Sequence, residues 1–148
     1  MKIIYMNALI SAHSGLRWLL LLTIIISIIV SYANRLNSVL EKKQKLIYLS
    51  AFIFSHIQLL IGLILYFIYS GKVVFSSSTM ADKITRFFTL EHSLGMLIAI
   101  ALITIGYIKC KKQNNHNRVF WFYLIALVII FASIPWPFRE ALGVSNWA

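Results

Sequence analysis

Ionisable side chains are scarce in this chain of 148 residues, of which only 12% are charged. A handful interrupt long apolar runs: His13 and Arg17 in the first, His56 in the second, and Glu91 with His92 at the start of the third. A fourth histidine, His116, sits in the polar KKQNNHNR segment. An ionisable group surrounded by apolar sequence is costly, so each of the five is a candidate for function. An imidazole can ligate a metal, carry a proton or hold a core hydrogen bond, and depth and face discriminate among these.

Four apolar stretches read from the sequence are 8–31, 46–69, 87–108 and 119–134, each near the roughly 20 residues that a bilayer crossing needs. Stretches one and three run in the same direction. His13 and His92 each stand about five residues inside their stretch, roughly 8 Å deep at 1.5 Å per residue, so they are level. His56 lies about thirteen residues from the same end, nearer the middle by about 10 Å. On the first stretch His13, Arg17, Leu20, Ile24, Ser27 and Ser31 recur at helical spacing; on the third, His92, Gly95, Met96, Ala99, Ile103, Gly106 and Cys110 do. Both stripes carry small or polar residues, which places them on an inward face. On the second stretch Ser55, Gln58, Gly62, Tyr66 and Tyr69 make a comparable face, with His56 at its edge.

Two level imidazoles on parallel helices suit a planar cofactor gripped from both sides, and haem b is the leading candidate, with His13 and His92 as iron ligands. Zinc fits less well, since its sites use three or four protein ligands and the third histidine is at another height. A proton or ion path and plain polar packing stay open as alternatives. Arg17, one turn below His13, could neutralise a propionate or a quinone head, or pair with Glu91. Glu91 could instead orient an imidazole. Arg86, with Lys83 and Arg139, lies at the boundary where propionates or lipid headgroups would meet it. His56 with Gln58 could line a quinone or substrate pocket, or simply bond a backbone carbonyl.

The elements that must position these residues follow from composition. With 60% hydrophobic residues and a mean hydropathy of +0.83, the chain reads as an all-α integral membrane protein, an up-down four-helix bundle forming one domain over 1–148. The formal net charge of +10 sits beside the spans rather than on a separate surface. Arg35, Lys42, Lys43 and Lys45 fall in the first connection, and Lys109, Lys111, Lys112 and Arg118 in the third. The positive-inside rule then makes those two connections cytoplasmic and puts both termini outside. Nucleic-acid binding is excluded, because no exposed domain exists to present a reading element. The second connection, 70–86, is longer, and its mixed segment is expected to form a short interfacial helix over the outer end. The single Cys110 excludes an internal disulfide. Pro135 and Pro137 stop the fourth helix, and Trp136 between them suits headgroup depth.

The patterns HSGLRWL (13–19), SHIQLLIGLILY (55–66), RFFTLEH (86–92) and SIPWPFR (133–139) resemble a family of small bacterial four-span membrane proteins described as cytochrome b-like. The chain is also similar, more distantly, to one four-helix half of haem A synthase. The similarity lies in His13, Gln58 with Gly62, and His92. Arg17 stands four residues after His13 instead of adjacent to it, and the glutamate-bearing helix and second half of that enzyme are missing. The resemblance implies a b-type haem in or beside a respiratory chain, passing single electrons with a quinone pool or a larger membrane complex as partner. The other classes to weigh are a non-redox accessory subunit of a membrane complex and a haem- or quinone-modifying enzyme.

Overall fold

The computed structural model describes residues 2–68, 73–76 and 79–136, with side chains from residue 4 onward. Helix α1 (Lys2–Ala33) is followed by α2 (Lys42–Ile68). A four-residue α3 (Lys83–Arg86) runs through a π-turn (Phe87–Glu91) into α4 (His92–Gln113), and α5 (His116–Ser133) completes the order. Among the described residues there is no strand. Among the same residues four helical stretches, with 83–113 counted as one, are long and apolar enough to cross a membrane. α1 alone, at 32 residues, extends about 48 Å.

The turns explain where the helices stop. Both the backbone N–H and the side-chain amide of Asn34 donate to the Val30 carbonyl, closing α1. Gln44 reaches back to accept the Glu41 N–H at 2.9 Å, satisfying a backbone donor at the start of α2. The polar stretch expected to separate α4 from α5 over 111–118 is mostly helix, and only Asn114 and Asn115 form the turn. Asn114 takes the left-handed conformation at φ 49°, which asparagine tolerates better than most residues, and the Asn115 side chain accepts from Asn117 N.

Close packing runs α1–α2, α2–α4, α4–α5 and α5–α1, a closed ring in which α1 and α4 are diagonal and parallel. The seam is the pair of stripes read from sequence: Leu20, Ile24, Ser27 and Ser31 of α1, and Ala99, Ile103 and Cys110 of α4, are buried. Tyr48 and Ala51 of α2 and Tyr123, Ala126 and Ile130 of α5 complete the core. Outward-facing residues such as Leu22, Ile29, Leu60, Leu97 and Val128 are apolar and exposed. The bundle is thus apolar on both sides of every helix.

The mixed segment of the second connection does carry a short helix, α3, but it is continuous with α4 through the π-turn rather than separate from it. The described residues before it, 73–76 and 79–82, form a non-helical strap, and Lys83 already starts the helix that becomes α4. Asp82 caps that start by accepting from the Thr85 N–H at 2.8 Å, a bond that holds its carboxyl below the ordinary range. The strap is tied down by Thr89, whose hydroxyl receives the Val74 N–H at 3.1 Å while its carbonyl receives the Tyr66 hydroxyl at 3.0 Å. Ser70, Lys72, Tyr69, Pro137 and Arg139 lie outside the described residues.

Candidate cofactor-binding site

His13 on α1 and His92 on α4 meet across the diagonal of the bundle, their ring centroids 6.3 Å apart and their planes at 72°. The matched depth expected of them is therefore present. The distance carries chemical information. A direct N–H···N hydrogen bond of about 2.9 Å, with about 1 Å from each nitrogen to its ring centre, would set centroids roughly 5 Å apart. Two metal–nitrogen bonds of about 2 Å each would set them roughly 6 Å apart. The observed separation is longer than a direct hydrogen bond sets, and it matches both an edge-on ring contact and the spacing that two metal–nitrogen bonds would need.

Each ring has its own support. A π-turn inserts an extra residue just before His92: the His92 N–H bonds the Phe87 carbonyl, five residues back. Such turns re-aim the side chains that follow. The His92 Nδ1–H donates to the Ser133 carbonyl at 2.8 Å, which fixes the tautomer and leaves Nε2 as the electron-pair donor. That bond exists because α4 and α5 approach closely at Gly95: a Cβ there would collide with the Ser133 side chain. Phe87 and Phe88 flank the ring at 6.1 and 6.4 Å between centroids.

His13 faces α2. A Cβ on Gly62 would stand 3.3 Å from its Cε1, so the glycine makes the space the imidazole occupies. Gln58, one turn earlier, donates from Nε2 to the His13 carbonyl at 2.6 Å. Two buried polar atoms here, His13 Nδ1 and Gln58 Oε1, have no hydrogen-bond partner among the described residues. Each buried orphan costs about 1–3 kcal/mol, so their coincidence at one place marks a site built for something more than packing. Arg17 follows one turn below His13, with its guanidinium carbon 5.4 Å from the centre of the Trp18 ring.

The remaining candidates are placed elsewhere. His56 donates from Nδ1 to the carbonyl of Phe52, one turn earlier on the same helix, at 2.8 Å and leans on the Phe52 ring. This is the backbone-bonded arrangement, away from the other two histidines. Arg86 is held by Glu91 in a 2.8 Å ion pair and by the Met80 carbonyl at 3.0 Å. Glu91 thus pairs with Arg86 rather than with Arg17, and the partner of the His92 imidazole is a carbonyl rather than this carboxylate. Among the described residues no third His, Cys, Asp or Glu joins a metal-binding group. Two imidazoles are fewer ligands than zinc uses and the number that a planar iron macrocycle takes on its two faces.

His116 lies elsewhere than the sequence suggested. It opens α5 fully buried, donating from Nε2 to the Val39 carbonyl at 3.1 Å and accepting at Nδ1 from the Tyr48 hydroxyl at 2.8 Å. Tyr123 in turn donates to the Tyr48 carbonyl at 3.0 Å. The network ties the first connection to α2 and α5 at the end opposite the His13–His92 pair. Polar neighbours in sequence hid it; its partners arrive from α2 and the first connection, 68 and 77 residues away.

Comparison with protein-family models, with curated proteins and with solved structures finds no match to this chain.

Proposed function

We propose that the chain is a membrane cytochrome that holds one haem b between His13 and His92 and passes single electrons in or beside a respiratory chain. The observation that carries this reading is the 6.3 Å diagonal imidazole pair, with one ring oriented by a carbonyl and the other seated against a glycine. A bound haem b would supply a one-electron couple. His13 and His92 would hold it through their ring nitrogens, and a two-imidazole ligand set would favour electron transfer. Ser133 holds His92 in the ligating tautomer, and the two histidines span diagonal helices, so the bundle itself fixes their spacing. Arg17 contributes positive charge one turn from the pair, where it favours carboxylate groups. The apolar exterior is covered by the lipid of a bacterial inner membrane, with the basic turns inside and the histidine pair in the outer half. Electron exchange with a quinone pool or a larger complex then takes place toward the outer face.

The test is a reduced-minus-oxidised visible spectrum of the detergent-purified protein, with haem counted per chain as the pyridine haemochrome. Low-spin b-type bands near one haem per chain are expected. His13→Ala and His92→Ala should each abolish haem retention, and His56→Ala should leave the spectrum intact. A folded, colourless wild-type protein would sink the proposal and favour an accessory subunit.

A further inference from the structure

Two unpartnered atoms at the site are complementary in kind. Gln58 Nε2 is on the His13 carbonyl, which can only accept, so the amide orientation is settled and the remaining atom is an acceptor oxygen. That Oε1 is buried and receives no hydrogen from the described residues. His13 Nδ1 is buried as well, on a residue that Gln58 already touches. An imidazole that gives Nε2 to a metal must carry its hydrogen on Nδ1, where it requires an acceptor. His92 has one in the Ser133 carbonyl, and His13 has none among its backbone neighbours. The turn of α2 that carries Gln58 also carries Gly62 at its next step, and the glycine leaves the His13 ring free to settle against this face.

We propose that Gln58 is the positioning residue of His13, its amide holding the His13 main chain through Nε2 while Oε1 accepts the imidazole Nδ1 hydrogen when the other ring nitrogen is on iron. This rests on the bis-histidine haem reading and adds to it. The consequence is electronic as well as geometric. Hydrogen-bonding to Nδ1–H raises the basicity of the ligating nitrogen and stabilises the oxidised metal, so Gln58 sets the potential of the couple from outside the coordination sphere. The two ligands would then differ in kind, one bonded to a rigid backbone carbonyl and one to a replaceable side chain.

The experiment is redox titration of purified wild type, Gln58→Leu and Gln58→Glu, with haem counted per chain and the visible spectrum recorded. Gln58→Leu removes the acceptor and should retain low-spin haem while raising the reduced-to-oxidised ratio several-fold at a fixed potential. Gln58→Glu supplies a stronger acceptor when ionised and should shift the ratio the other way, increasingly as pH rises. A merely structural role would move both variants in the same direction or neither. Haem present in wild type with equal or same-sign shifts in both variants overturns the role of Gln58 and leaves the cytochrome reading standing. Should one variant fail to fold, the sign of the other's shift decides. Haem absent from folded wild type overturns both.

Discussion

At the residue scale, Gly62 separates the needs of a helix from those of the site. Glycine inside a helix is worse than alanine by up to about 1 kcal/mol, so α2 by itself would gain from a methyl group there. The added Cβ would meet His13 Cε1 at 3.3 Å, a contact the ring relieves by moving a few tenths of an ångström. A valine would require a larger shift. With haem held as proposed, Gly62→Ala is therefore expected to melt no lower than wild type while binding haem more weakly, and Gly62→Val to lose most of its haem with the helix content intact. Circular dichroism beside haem counting separates the two effects; a variant that keeps full haem would show that His13 does not depend on this space. The same reasoning could not have come from His56, whose bond to the Phe52 carbonyl is complete within its own helix.

At the element scale, the approach of α5 to α4 determines the chemistry of His92. The carbonyl of Ser133 reaches Nδ1 only because Gly95 has no side chain, one turn along α4 from the histidine. Gly95→Ala should push the end of α5 outward, lengthen that bond and weaken haem retention. Ser133→Gly, which removes the atoms the methyl group meets, should restore it in the double variant, a coupling that independent sites do not show. Loss in the double variant equal to that of Gly95→Ala would argue against the mechanism. The π-turn belongs to the same scale. Thr89 within it accepts the Tyr66 hydroxyl on its carbonyl and the Val74 N–H on its hydroxyl, so the segment that leads into His92 also anchors the strap.

For the molecule as a whole, the bundle is secured at two ends by different means. The histidine pair occupies one end, and about 30 Å away along α4 the buried His116–Tyr48–Tyr123 network closes the other. Tyr48→Phe leaves His116 Nδ1 without its donor and should cost about 1–3 kcal/mol. His116→Leu, which leaves the buried Tyr48 hydroxyl without its acceptor and also removes the bond to the Val39 carbonyl, should cost more. Unfolding in detergent measures this, and the visible spectrum of either variant should match wild type. A changed spectrum would mean that the two ends are coupled.

Much of this was legible in the residues alone. Four long apolar runs imply four helices, because a backbone surrounded by apolar side chains must satisfy its own hydrogen bonds. Helical periodicity put Leu20, Ile24, Ser27 and Ser31 on one face, and counting at 1.5 Å per residue put His13 and His92 level. Those properties are local, set by spacing along one helix. What tertiary structure decided depends on atoms distant in sequence. The acceptor for His92 is a backbone carbonyl 41 residues away, which no side-chain pattern advertises. Glu91 took Arg86 because the π-turn brought them together, and His116 became core because α2 and the first connection cover it. Charge and polarity in sequence report what a side chain can do; which partner it finds is settled by the packing of helices against one another.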